Sequence, residues 1–255
     1  MTSLQDMNDD RGIALDRVGV TGLIQTVTFV TSDGPATATG EFDLSVALPA
    51  NSRGVHLSRF ARVLSEGEVD VSPGGLRALL ERLSAELGAA TSHVEVTYEE
   101  TAAKAAPVSR RSSLVSYPVR VSGSLDPDYT HTLAVTHPVM TVCPCSQEAT
   151  DGFGHSQRTQ VEIAVSFDGR IMAGELVDLA ESCASAPVYP LLTGEDERAV
   201  IENAALRPVF VEDLVRSIAE RLEADVRVRW YSIEAESLES VSAHNAYAAV
   251  ERTIG

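Results

Sequence analysis

Apolar residues recur at helical spacing in two separate parts of the chain. In the first part they are the leucines at positions 76, 79, 80, 83 and 87. In the second part they are Val211, Leu214, Val215, Ile218 and Leu222. Both sets follow the i, i+3, i+4, i+7 pattern of an amphipathic helix, and the turn-forming Pro73-Gly74-Gly75 marks the start of the first one. We therefore predict a helix with one buried stripe in each half of the chain.

Each predicted helix is followed by alternation of apolar and polar residues, which is typical of a half-buried strand. These segments are 94–98 and 226–230, with further alternation at Val115, Tyr117, Val119 and Val121. Extended segments precede each helix, at 18–32 and 38–48 in the first half and at 131–142 and 158–167 in the second. The order strand, strand, helices, strand, strand thus occurs twice. It predicts an α+β fold, an antiparallel sheet with helices packed on one face.

The repeated order also predicts two tandem units. An N-terminal tail would occupy residues 1–15, the first unit residues 16–125, and the second unit residues 126–255, with the break near Asp126-Pro127-Asp128. A chance similarity of two generic helices is the alternative, because five apolar positions are a weak repeat signal.

Composition narrows the class of protein. With 255 residues, 44% of them hydrophobic, the chain can bury a large core, and no run of eighteen apolar residues occurs. The first residues are acidic and polar rather than a basic stretch followed by an apolar one, so we expect a cytoplasmic protein. The net charge of −17 disfavours nucleic acid and anionic lipid as partners. Three cysteines in such a chain indicate reduced thiols rather than disulfides.

The segment 141–158 carries the strongest chemical signal. It contains Cys143, Cys145, glycines and His155. A closed structural zinc site needs four protein ligands, so a catalytic metal site with an open position fits these residues better. Cys143 and His155 are candidate ligands on opposite sides of a loop that could fold back on itself. The alternative is that the cysteines are small buried hydrophobes and that His155 caps a helix or lies in the core.

Further polar clusters lie elsewhere in the chain. His56, Ser58 and Arg59 follow a glycine and could contact a ligand, or they could form an ordinary turn and helix start. Glu212 stands at the beginning of the second amphipathic helix, where an acidic residue can simply complement the helix dipole. His244 lies in a polar segment near the C-terminus, which could equally be a surface loop.

Together these clusters resemble the GTP cyclohydrolase IB family, and the resemblance extends over nearly the whole chain. The matching elements are, in chain order, Asp10 to Ile13 with Val18 to Val20, His56 to Phe60, Cys143 to Ser146 with His155, Gln157 and Arg158, Asp196-Glu197, and Phe210 to Asp213. Each element alone is weak. Their order and spacing carry the resemblance.

The resemblance implies a tunnelling fold and a homotetramer with its sites between subunits. It also implies one divalent metal per site, in the second unit, with Cys143, His155 and Glu197 as ligands, and Glu212 as the anchor for the purine. Zinc, iron(II) and manganese all suit a thiolate, imidazole and carboxylate set. The implied reaction converts GTP and water to 7,8-dihydroneopterin triphosphate and formate, the first step of tetrahydrofolate (pterin) biosynthesis.

Catalytic roles follow from the resemblance and from residue type. Cys143 is counted among the catalytic groups as well as the ligands, and His244 or His56 is the expected proton donor, because histidine titrates nearest neutrality. The family's C-terminal element has two histidines, and here Ser242 takes the place of the first while His244 keeps the second.

Substrate contacts are expected from Arg59 and Arg158, which could bind the triphosphate, and from Ser58. Two other classes of function stay open. The same fold hosts nitrile reductases, in which a cysteine attacks the substrate and nicotinamide supplies hydride. A purine-binding or zinc-buffering protein without catalytic activity is the third interpretation.

Overall fold

The computed structural model describes residue 5 and residues 7–254. Residues 1–4 and 6, in the predicted tail, and residue 255 lie outside the described residues. The strands are β1 (Leu15–Thr31), β2 (Gly34–Leu48), β3 (Val69–Asp70), β4 (Ser92–Ala105), β5 (Ser112–Asp126), β6 (Asp128–Val142), β7 (Ser156–Phe167), β8 (Ala186–Pro187), β9 (Val228–Leu238) and β10 (Ala246–Thr253). The helices are α1 (Leu57–Leu64), α2 (Pro73–Leu87), α3 (Pro144–Ala149), α4 (Ala173–Cys183), α5 (Gly194–Ala205) and α6 (Val211–Glu223).

The chain divides into two compact units. The first contains Met1–Glu99 and Arg120–Leu133, and the second contains Glu100–Val119 and Ala134–Gly255. Strands β4, β5 and β6 each contribute one part to either unit. A duplication with its break near residue 126 stays a prediction.

In the first unit the strand order is β6-β5-β4-β2-β1-β3. β1 and β2 form an antiparallel hairpin, β2 pairs antiparallel with β4, and only the short β3 pairs parallel, with β1, among the pairings described in this unit. Alternate residues of β2 are buried, including Phe42, Leu44 and Val46. The sheet therefore has one apolar face.

Helix α2 covers part of that apolar face. It begins at Pro73, as predicted, and the Ser72 side chain caps it by accepting a hydrogen bond from the Gly75 amide. Its stripe is buried at Leu76, Leu79, Leu80 and Leu83. Burial of each such leucine stabilises the unit by about 1.5–3 kcal/mol. The Ser92 hydroxyl of β4 donates to the Leu80 carbonyl at 3.0 Å, which joins the helix to the sheet.

In the second unit the strand order is β10-β9-β7-β6-β5-β4, with β8 beside β6. β7, β9 and β10 form successive antiparallel pairs. Helix α6 packs on β9 and β10, and α4 packs on α6. The buried residues of α6 are the predicted set Val211, Leu214, Val215, Ile218 and Leu222. The α+β class, with a mostly antiparallel sheet and helices on one face, is thereby confirmed in each unit.

A charged cluster lies under α4 in the second unit. Lys104, the only lysine of the chain, forms an ion pair with Glu181 and lies 4.7 Å from the centroid of the Tyr189 ring. The side chains of Lys104 and Glu181 are only 13% and 14% exposed. His137 Nε2 lies 2.7 Å from the same carboxylate. Pairing of this kind offsets the desolvation penalty of burying an ammonium group.

No helix in the described part of the chain is long and apolar enough to cross a membrane.

Candidate active site

The segment between Cys143 and His155 folds back on itself, as the sequence analysis expected. The Cys143 amide donates to the His155 carbonyl at 3.1 Å, which fixes the two ends side by side. The Ser146 hydroxyl joins them again, because it donates to the Cys143 carbonyl and accepts from the His155 amide, both at 3.0 Å. Cys143 is the residue at the N-cap of α3 and is half-buried.

Glycines make this return possible. Gly152 has a φ of 105°, in the region that favours glycine, and its amide donates to the Gln147 carbonyl at 2.8 Å. Gly154 has no room for a side chain, since a Cβ there would lie 2.8 Å from Val142 Cγ1. Both glycines lie between the cysteine and the histidine, so the local sequence dictates how these two residues meet.

The imidazole of His155 is oriented by its neighbours. Its Nδ1 lies 2.8 Å from Gln157 Oε1, 3.5 Å from Ser240 Oγ and 3.9 Å from Glu239 Oε2. The His155 and Glu239 side chains are 19% and 14% exposed, so these contacts are largely shielded from water. All three contacts are made through Nδ1, and no described contact of His155 involves the other ring nitrogen, Nε2.

The β7–β9 pairing explains why Glu239 and Ser240 are there. The last pair of the register is Arg158↔Leu238, and the next residues outward are Gln157 and Glu239. Gln157, Glu239 and Ser240 are not among the site residues predicted from the sequence. Gln157 belongs to one of the matching elements, but only the strand register shows that it meets Glu239 and Ser240.

The loop between β9 and β10 also carries the expected proton donor. Ser242 and His244 both lie in this loop, and both are exposed. The loop begins with the two residues that contact His155, so His244 belongs to the same end of the second unit. The assignment of His244 as proton donor stays a prediction.

The start of α6 is attached to the same region. The Val209 amide donates to the Val142 carbonyl at 3.0 Å, directly before Cys143, and Gln147 Nε2 donates to the Ala205 carbonyl at 2.7 Å. Glu212 is exposed in the first turn of α6. A carboxylate in this position complements the helix dipole and is also accessible to a ligand.

The neighbouring residues Asp196 and Glu197 have different surroundings and different roles. Asp196 is fully buried and accepts hydrogen bonds from Val108, Ser109 and Thr193. Burial alone would raise the pKa of Asp196, but the hydrogen bonds from Thr193 and Ser109 outweigh it and hold that pKa well below its ordinary value. Glu197 is exposed on the first turn of α5. Asp196 thus fixes the beginning of the helix that carries Glu197.

Two of the three expected metal ligands, Cys143 and His155, are joined by their backbones. Within residues 7–254, no group of three or more histidine, cysteine or acidic side chains is arranged to hold a metal. Cys143 and His155 are nevertheless held together, and the contact of His155 Nδ1 with Gln157 is the kind of outer hydrogen bond that metal-binding histidines make. The donor types fit the expected ion, while Glu197 has no described contact with the other two residues.

The other site residues predicted from the sequence are His56, Ser58, Arg59 and Arg158. His56 is the N-cap residue of α1 in the first unit, Ser58 is exposed in the first turn, and Arg59 Nη1 donates to the Glu86 carbonyl at 3.2 Å. Arg158 is exposed on β7 in the second unit, next to Gln157. The structure therefore brings Cys143, His155 and the C-terminal loop together, and it describes the first-unit candidates only within their own unit.

A concave surface of about 510 Å³ lies on the polar face of the first unit. Its lining includes Arg17, Asp43, His93, Glu95 and Ser124. None of the predicted site residues lines it. We do not assign the candidate chemistry to this surface.

Solved structures with a similar architecture include urate oxidases. The urate oxidase of Bacillus subtilis 168 has a TM-score of 0.54 at 10% identity and covers 93% of this chain and 98% of that one. The uricase of Arthrobacter globiformis has a TM-score of 0.53 at 8% identity, with coverage of 94% and 93%. Identities this low define the class of fold alone, the tunnelling type that the sequence resemblance implied.

The particular family follows from sequence relatives. A family model described as type I GTP cyclohydrolase folE2 matches residues 1–248, and the chain belongs to this family. It is 38% identical over 252 residues to the GTP cyclohydrolase FolE2 of Pseudothermotoga lettingae, covering 98% of each sequence. It is 39% identical over 253 residues to GTP cyclohydrolase FolE2 of Cupriavidus pinatubonensis, covering 99% of this chain and 94% of the relative.

Proposed function

We propose that this protein is a GTP cyclohydrolase of the type IB class, which converts GTP and water to 7,8-dihydroneopterin triphosphate and formate at the start of folate synthesis. The observation that carries the proposal is the family match over residues 1–248, together with the clustering of Cys143, Gln157 and Ser240 around His155. The net charge of −17, which disfavours nucleic acid and anionic lipid as partners, agrees with action on a small molecule.

Guanine recognition is assigned to Glu212. The N1–H and exocyclic amine of guanine are adjacent donors on one edge, and a carboxylate can accept both in a bidentate pair. The exposure of Glu212 in the first turn of α6 supports this role, because the carboxylate is not committed to the core. Arg59, Arg158 and Ser58 are proposed contacts for the triphosphate.

One divalent ion is proposed at Cys143, His155 and Glu197, as zinc, iron(II) or manganese. When bound it would act as a Lewis acid and make a water molecule reactive at neutral pH. The chain's own contribution is to hold the Cys143 and His155 donors next to each other through their backbone hydrogen bonds. Glu197 would supply the third donor. Since it has no described contact with Cys143 or His155, its role agrees with a homotetramer whose sites lie between subunits.

The reaction needs water and proton transfer at defined atoms. Water adds to C8 of the guanine ring, the C8–N9 bond opens, and a second hydrolysis releases C8 as formate. Rearrangement of the ribose and ring closure expel one water, so the net reaction consumes one. We propose His244 as the group that moves protons during ring opening, with His56 as the alternative, because an imidazole titrates near neutral pH whereas the hydroxyl of Ser242 does not.

The decisive experiment incubates metal-reconstituted protein with GTP and follows formate and a fluorescent pterin after oxidation. We expect Cys143→Ala to lose both metal and turnover, and Cys145→Ala to be milder. Cys183→Ala, at the end of α4, is the matched control and should behave as wild type. Absence of formate from the wild-type protein, or full activity of Cys143→Ala, would contradict the proposal. Nicotinamide-dependent reduction of a nitrile would instead favour the reductase class.

A further inference from the structure

We infer that Gln157 is a positioning residue that keeps the proton of neutral His155 on Nδ1 and so reserves Nε2 as the reactive nitrogen. The inference begins with the 2.8 Å contact between His155 Nδ1 and Gln157 Oε1. An amide oxygen accepts hydrogen bonds and cannot donate them. The proton in this contact must therefore be carried by Nδ1.

The second neighbour acts in the same direction. Glu239 Oε2 lies 3.9 Å from the same nitrogen, and an ionised carboxylate is also an acceptor only. Ser240 Oγ, at 3.5 Å, can be donor or acceptor and does not oppose the assignment. The groups around Nδ1 thus favour one tautomer, with the lone pair of the neutral ring on Nε2.

The backbone of His155 is hydrogen-bonded through both its carbonyl and its amide, which fixes where the ring starts relative to Gln157. The His155 carbonyl accepts from Cys143 and its amide donates to Ser146, so the residue is anchored at both ends. Gln157 is held by the β7 strand, which starts at Ser156. A 180° rotation of the ring about χ2 would place Cδ2 where Nδ1 lies and would lose the contact with Gln157 Oε1.

The consequence concerns any partner of His155. A divalent cation or a proton of the substrate would meet Nε2, which is presented already deprotonated when the imidazole is neutral. Outer hydrogen bonds of this kind alter metal affinity by about 10- to 100-fold when removed. The metal part of this inference rests on the proposed function, whereas the tautomer itself does not.

The tautomer can be read directly by ¹⁵N NMR of the metal-free, full-length protein at a pH above the titration of its histidines. The His155 ring signals are assigned by their absence in His155→Ala. We expect a protonated, pyrrole-type Nδ1 and a pyridine-type Nε2 in the wild type. Gln157→Glu retains an acceptor oxygen and should keep this pattern, while Gln157→Met, of similar length, should shift the ring towards the other tautomer.

A second measurement titrates Co²⁺ alone into the same proteins by absorption spectroscopy. We expect Gln157→Met to bind Co²⁺ about 10- to 100-fold more weakly than wild type and Gln157→Glu to retain more of the affinity. Gln160→Met is the matched control, because Gln160 is exposed on the same strand and pairs with Glu236. It should change neither the tautomer nor the affinity.

The outcomes separate this inference from the proposed function. An Nε2–H tautomer in the wild type, or an unchanged tautomer in Gln157→Met, would overturn the role of Gln157. If Gln157→Met fails to fold, the wild-type spectrum and Gln157→Glu still decide the tautomer. If the tautomer is as expected but Co²⁺ does not bind to the wild type, the metal site fails and the assignment of Nε2 remains.

Discussion

Replacing Gly154 with alanine tests whether close packing of the return loop controls the site. The new Cβ would lie 2.8 Å from Val142 Cγ1, 3.2 Å from Gln147 Cβ and 3.3 Å from the Cys143 carbonyl oxygen. Val142 is buried, with 4% of its surface exposed, and Gln147 is bonded to the Ala205 carbonyl, so neither can easily move aside. The loop itself must give way.

The size of the effect follows from these distances. Carbon atoms in good contact are about 3.5–4.0 Å apart, so the segment must shift by roughly 0.7–1.2 Å away from Val142. Overpacking of this kind costs about 1–3 kcal/mol, which corresponds to a fall in Tm of about 2–12 °C for a chain of this size. His155 is the next residue, and a displacement of about 1 Å in a catalytic group can lower turnover by about 10².

The assay combines thermal unfolding with GTP turnover. We expect Gly154→Ala to lower both Tm and kcat by these amounts. Gly194→Ala serves as the control, because a Cβ at Gly194, in α5 of the same unit, meets no atom within 4 Å. If Gly154→Ala unfolds at the wild-type temperature and turns over GTP normally, the loop is not tightly packed and the argument from the hydrogen-bonded return is wrong.

Four further results are expected. His155→Ala should lose both bound metal and turnover, and retention of metal measured by elemental analysis would exclude it as a ligand. Glu212→Gln should raise the KM for GTP, because its amide presents a donor to guanine's donors; an unchanged KM and kcat would remove Glu212 from the pocket. His244→Ala should reduce kcat by about 10² or more while Ser242→Ala changes it little, and a normal rate and pH profile for His244→Ala would make it merely structural. The folded-state pKa of Asp196 is depressed, so the stability that ionised Asp196 contributes is fully present above the unfolded-state pKa of about 3.9 and is lost as the pH falls from there towards the folded-state pKa. The difference in Tm between wild type and Asp196→Asn should therefore shrink under acid. A constant difference would refute the linkage.

Hydrophobic spacing was sufficient to predict the helices whose buried positions hold large apolar side chains. Four of the five leucines predicted for α2 are buried and Leu87 is half-buried, and all five predicted residues of α6 are buried, since large side chains at helical spacing leave few alternatives. The strand predicted at 226–230 begins at Val228 and runs on to Leu238, whereas Val226 is 85% exposed. The later residues of β9 include buried alanine and serine, whose small side chains give a weak alternation signal.

The candidate site was predictable where it is local. Cys143 and His155 lie in one loop, and the glycines between them indicate its return. Glu239 could not be connected with His155 from sequence, because that contact depends on the β7–β9 register between residues far apart in the chain. The role of Glu197 as a metal ligand stays a prediction, because no described contact joins Glu197 to Cys143 or His155.

The buried ion pair of Lys104 makes the chemical modification of this lysine a measure of local unfolding in the second unit. Reagents that modify amines have one lysine to attack, and its ammonium is paired with Glu181 and lies over Tyr189. Modification at Lys104 therefore requires the cluster under α4 to separate, and the rate of labelling measures how often this part of the second unit opens. Mass spectrometry of the peptide that contains Lys104 would follow that local stability in a cell extract, without a substituted residue.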